Sequence, residues 1–85
     1  MHRIEYSSAA IKDLRRVPWE VTLRIQAKLE LIAGDPYAKH SEVARLQGSE
    51  GYRLRVGDWR VLYELRNDRL VLLVVKVGSR GDVYR

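Results

Sequence analysis

The chain has 85 residues, 46% hydrophobic and 32% charged, with no cysteine, two histidines and a formal net charge of +5. That length makes one domain, 1–85, which buries only roughly two-thirds of the surface its unfolded chain exposes, so stability is expected to be marginal. The missing cysteines exclude disulfide frameworks, thiolate zinc sites and cysteine nucleophiles, and His2 and His40 supply neither a histidine metal cluster nor an acid–base pair, so no metal site and no cofactor is expected.

Arginine outnumbers lysine twelve to four, and its planar fork suits phosphate and carboxylate equally, which predicts nucleic acid or an acidic protein as partner. The N-terminus lacks an apolar signal core and the run Leu70 to Val75 is far too short to span a membrane. A soluble, cytoplasmic protein without a membrane partner is the expectation.

In chain order, His2 to Tyr6 reads as a short strand. Ser7 and Ser8 offer an N-cap to a helix whose Ala10, Ile11, Leu14 and Val17 fall at helical spacing, with Lys12, Asp13, Arg15 and Arg16 outward. Pro18 ends that helix and opens a second, in which Val21, Ile25, Leu29 and Ile32 form one stripe before Gly34 and Asp35-Pro36 stop it. The pair predicts an α-hairpin with one apolar side. From Asp35 to Glu50 the periodicity lapses, and a long connection anchored by Tyr37, Val43 and Leu46 is expected.

Gly51 to Arg85 reads as a three-stranded antiparallel meander, with strands over Tyr52 to Val56, Trp59 to Arg66 and Arg69 to Val77. Gly57-Asp58 suits a type II′ turn and Asn67-Asp68 a type I′ turn, and Gly78-Ser79 is expected to break the last strand. Pairing across Gly57-Asp58 puts Tyr52, Leu54, Val56, Trp59, Val61, Tyr63 and Leu65 on one face, which must be the core. Arg53, Arg55 and Arg60 share the other. Arg55 directly opposite Arg60 is a like-charge conflict of the kind that marks functional sites, although a solvated basic face is the alternative. Leu62, Val71, Leu73 and Val75 flank the arginines with no remaining segment to cover them, so a partner is expected there. The Leu70 to Val77 strand is apolar on both faces and should be internal, between the Trp59 strand and the N-terminal strand. Tyr84 either pins the tail by packing or acts in chemistry.

The stretches YRLRVGDWRVLYEL and DRLVLLVVKVGSRGDVYR, with the strand, the two-helix hairpin, Asp35-Pro36 and Leu46-x-Gly48 before them, resemble the RelE/ParE superfamily of toxins from type II toxin–antitoxin pairs. The resemblance covers essentially the whole chain and implies an α+β fold in the order β-α-α-β-β-β. The RelE branch cuts messenger RNA on the ribosome, whereas the ParE branch shares the fold and poisons DNA gyrase, so fold alone does not separate them. By resemblance, the catalytic positions are Arg53, Arg55, Arg60, Arg80 and Tyr84, with arginine at Arg53 and Arg55 where the best-known RelE branch has lysine. A ribosome-dependent, metal-independent mRNA interferase is the expectation, held by a cognate antitoxin in a hetero-oligomer. The alternatives are a gyrase poison, or a toxin fold that retains only antitoxin or nucleic-acid binding.

Overall fold

The computed structural model describes residues 1–48 and 50–79. Its elements are β1 (Arg3–Tyr6), α1 (Ser8–Leu14), α2 (Trp19–Gly34), β2 (Val43–Arg45), β3 (Tyr52–Val56), β4 (Trp59–Arg66) and β5 (Val71–Ser79). They form one five-stranded sheet in the order β1-β5-β4-β3-β2, antiparallel throughout except for the parallel β1–β5 pair. The internal position of β5, with β1 on one side and β4 on the other, follows from its apolar character on both faces.

Both helix starts follow from local chemistry. Ser7 is the N-cap of α1, its hydroxyl accepting the Ala10 N–H at 3.0 Å, and Pro18 caps α2, one position before the first helical residue. Proline fixes φ and lacks a donor, so it fits a helix start and breaks the preceding helix. Thr22, Ile25, Leu29, Ile32 and Ala33 are the buried side of α2. They pack against Leu54, Val56, Val61, Tyr63, Leu72, Val74 and Val77 of the sheet, with Tyr52, Trp59 and Leu65 at the margin. The opposite side of the hairpin leaves Ile11, Trp19, Leu23 and Leu31 exposed.

Four expectations change. First, the connection after α2 contains a fifth strand: β2 pairs antiparallel with β3 through Val43↔Leu54, Ala44↔Arg53 and Arg45↔Tyr52. Three residues are too few for a legible alternation, and the pairing comes from β3 offering its outer edge.

Second, Asn67-Asp68 is not a two-residue turn. Arg66 pairs with Val71, leaving a four-residue loop closed by Arg69 N–H to Arg66 C=O and Leu70 N–H to Asn67 C=O. The positive φ, 52°, falls on Leu70, so β5 begins at Val71 instead of Arg69. Asn67 serves through its side chain, whose oxygen lies 3.2 Å from the buried His2 ring nitrogen Nε2. The Gly57-Asp58 turn is as expected, with Gly57 at φ 58°.

Third, β5 continues through Gly78 and Ser79, paired with Arg60 and Trp59, and the register shifts at Leu62/Tyr63 because β5 carries one extra residue, Val75, between the partners Val74 and Lys76. Strict alternation would send Lys76 to the core with Leu72 and Val74. The bulge reverses the parity, so Val77 enters the core and Lys76 joins Leu62 on the other face.

Fourth, Asp13 does not point outward. Its Oδ2 accepts the Val77 backbone N–H at 3.0 Å and lies 3.5 Å from Lys76 Nζ. β1 pairs only as far as Val74, so beyond it the edge of β5 needs other partners. Asp13 supplies one, and the Ser7 hydroxyl donates to the Val75 carbonyl at 2.7 Å.

Candidate functional site

The sheet face away from the helices carries Arg53 and Arg55 from β3 and Arg60 from β4. Arg55 lies directly opposite Arg60, and Arg53 sits between Leu62 on β4 and Ala44 on β2. Arg60 has Gly78 as its β5 neighbour, so β5 contributes no side chain at that pair.

The charges on this face are unevenly neutralised. Toward β1, Arg3 pairs with Glu5 at 2.9 Å, and the Glu64 carboxylate accepts from Arg66 at 2.6 Å. Toward β3, by contrast, none of Arg53, Arg55 and Arg60 forms an ion pair among the described residues. Arg60 donates through Nη1 to the Trp59 carbonyl at 3.5 Å, a contact that does nothing for its charge. The Arg53 Nε is buried and has no hydrogen-bond partner among the described residues. An unsatisfied buried donor costs about 1–3 kcal/mol, and opposed like charges add to that. Folding alone gives no reason for either.

Lys76, the cross-strand partner of Leu62, is a further cation beside the arginine cluster that alternation along the strand does not place there. The signal was present as a lysine inside the apolar run Leu70 to Val77, a position that strict alternation cannot satisfy without a bulge. Its ammonium leans toward Asp13 at the sheet edge.

The apolar residues beside the arginines are less open than expected. Val71 is 0% exposed and Leu62, Leu73 and Val75 are half-buried. The register places the Arg3–Glu5 and Glu64–Arg66 pairs on either side of Val71 and Leu73, and the stems of such long side chains cover apolar surface. Arg80 and Tyr84, the two remaining positions implied by the resemblance, lie outside the described residues. Chemically, the described part gathers guanidinium groups beside an apolar margin, an arrangement suited to an anion.

On the core side, Tyr63 stacks on Tyr52 with ring centroids 5.3 Å apart and planes at 14°. Burial, with the neighbouring Tyr52 phenol as a smaller cause, pushes the Tyr63 hydroxyl far above its ordinary pKa. Burial and then the Glu30 charge raise that of Tyr6. Neither phenol faces the arginines, since both residues belong to the helix-side core.

The fold recurs in solved toxins. The isolated Escherichia coli RelE toxin superposes with a TM-score of 0.83 at 19% identity, over 95% of this chain and 86% of that one. RelE in the archaeal RelE-RelB complex from Pyrococcus horikoshii OT3 gives 0.79 at 24% identity, over 96% and 98%. A relative in Methanocaldococcus jannaschii that carries the name RelE1 is 29% identical over 84 residues, which is 96% of this chain and 93% of that one. Residues 4–84 match the family model described as the ParE toxin of the type II toxin-antitoxin system parDE. With the match running from the first strand past the last, this chain belongs to that family and is a toxin of a type II toxin–antitoxin system.

Proposed function

We propose that this toxin acts as a RelE-type endoribonuclease that cleaves messenger RNA held by the ribosome, in the cytoplasm, under the control of a cognate antitoxin. The observation that carries this reading is the convergence of Arg53, Arg55 and Arg60 on one sheet face without carboxylate partners among the described residues. Three guanidinium groups tolerated side by side at a cost in stability are the equipment for a phosphodiester.

The chemistry these residues support needs no metal. The 2′-hydroxyl of the substrate attacks the adjacent phosphorus, the bond to the 5′-oxygen breaks, and the products are a 2′,3′-cyclic phosphate and a 5′-hydroxyl. Negative charge builds on the non-bridging oxygens, where Arg53, Arg55 and Arg60 donate. A preorganised donor is worth about 3–4 kcal/mol in other enzymes. By resemblance, Tyr84 takes or orients the proton of the 2′-hydroxyl, and Arg80 adds to the charge clamp. The leaving 5′-oxygen receives its proton from water or from a ribosomal group, since a guanidinium is a slow proton donor. Orientation of the strand is left to the ribosome, which supplies much of the rate and makes free RNA a poor substrate.

The solved Escherichia coli and Pyrococcus horikoshii relatives include RelE in complex with RelB. We extend that arrangement to this chain: an acidic and apolar segment of its antitoxin lies across Leu62, Leu73 and Val75 and occludes the arginines. Val71, being buried, supports that surface from beneath.

Translation of a defined messenger RNA with the purified protein, followed by mapping of new 5′ ends, tests the reading. Cuts confined to ribosome-bound message and unaffected by chelation of trace metal are expected. Intact message together with inhibited supercoiling by gyrase would replace it with a gyrase poison.

A further inference from the structure

A second patch, on the helix side of the sheet at the β2 edge, has a different character from the arginine cluster. Tyr37 is 63% exposed, on a turn that leaves it little freedom. Pro36 precedes it, the Ala38 N–H donates to the Asp35 carbonyl, and the His40 ring nitrogen Nε2 lies 2.8 Å from the same carbonyl. Arg45 lies with its guanidinium carbon 6.0 Å from the centroid of the Tyr52 ring, and Tyr52 is itself backed by the buried Tyr63. Tyr37, Arg45 and Tyr52 together line two adjoining clefts of about 260 and 300 Å³. Lys39 and His40 also line one and Glu50 the other. Arg45 forms no ion pair among the described residues.

An exposed aromatic ring on a fixed turn, beside a guanidinium that lies over the Tyr52 ring and is braced by it from behind, has the composition of a base-stacking platform in which Tyr37 and the Arg45 plane supply the stacking surfaces. Stacking accepts any base because every base has a π face, and the adjoining cations meet the flanking phosphates. The patch lies across the β2 edge from the arginine face. Ala44, the residue before Arg45, is the β2 partner of Arg53, so only a three-residue edge strand separates the two surfaces.

We propose that Tyr37, Arg45 and Tyr52 form a binding site for an unpaired base of single-stranded RNA, engaging the strand where it passes around the β2 edge from the arginine cluster. The site rests on RNA as the ligand class, not on cleavage.

The probe is a single-stranded 2′-O-methyl RNA of about ten nucleotides, within the usual site size, carrying 2-aminopurine, whose fluorescence falls on stacking. The 2′-O-methyl group removes the attacking hydroxyl, so binding is read without cutting. Wild-type protein and Tyr37→Phe are expected to quench the probe, and Tyr37→Ala to weaken binding roughly tenfold, a typical loss for one stacked base. An abasic strand of equal charge should bind wild type as weakly as Tyr37→Ala binds the intact probe. Unchanged quenching by Tyr37→Ala, or equal affinity for the abasic strand, overturns the proposal. So does a Tyr37→Ala variant that binds RNA normally and loses only its antitoxin, which would make the patch a protein-docking surface. If wild type quenches the probe yet cuts no message on ribosomes, the cleavage reading falls and the platform stands.

Discussion

The two faces of this sheet are built from alternate residues of the same strands and obey opposite rules. On the helix side, Leu54, Val61, Tyr63, Leu72 and Val74 are closed against Ile25, Leu29 and Ile32. On the other side the same strands oppose Arg55 to Arg60 and bury an Arg53 Nε with no hydrogen-bond partner among the described residues. One face is chosen for stability and the other retained in spite of it. In a domain this small, a conflict tolerated on one face only is what the proposed reading of the arginines as ligand-binding residues would require.

The largest effect belongs to the closed face. Tyr63→Ala removes a fully buried ring and its stacking on Tyr52, and should cost about 3–5 kcal/mol. Chemical denaturation of this variant should show little folded protein remaining, whereas an arginine truncation on the open face should leave the midpoint unchanged or raise it slightly.

Asp13 tests the seam between the faces. Asp13→Ala leaves the Val77 N–H without its acceptor and should lower stability by about 1–3 kcal/mol. Asp13→Asn keeps an acceptor oxygen, loses only the charge facing Lys76, and should cost clearly less in the same melts.

The closed face also predicts an alkaline limit. The folded pKa of Tyr63 and of Tyr6 is raised above the unfolded value of 10.0. Their contribution is therefore fully present below about pH 10, and is lost as pH rises toward the folded values, because the unfolded phenols release protons first. Circular dichroism melts from pH 8 to 11, chosen to bracket that value of about 10, should show the decline, and Tyr63→Phe should make it shallower.

How much of this was legible in the sequence depends on how local the signal is. The β3–β4 hairpin could be read in full, because Gly57 fixes the turn and the turn fixes every cross-strand pair after it, including Arg55 with Arg60. Ser7, Pro18 and the α2 stripe were equally plain. The Asn67-Asp68 turn misled because the composition of a type I′ turn does not force its length, and Leu70 took the positive φ instead. β2 was invisible because three residues borrow their structure from β3. The bulge at Val75, and with it the position of Lys76 and the shielding of Val71, depends on pairing across β4 and β5 that alternation along a single strand cannot reveal. Of the site, the arginine cluster followed from the hairpin, while the Tyr37, Arg45 and Tyr52 patch needed residues from a turn and two strands brought together at one edge.

The separation of the two faces is tested most directly by single-turnover cleavage of ribosome-bound messenger RNA with Arg60→Ala, measured beside its thermal melt. The rate should fall by roughly a hundredfold or more, with a melting temperature equal to or above that of the unaltered protein. An unchanged rate, or a rate lost only together with the fold, would contradict the assignment of the open face to chemistry.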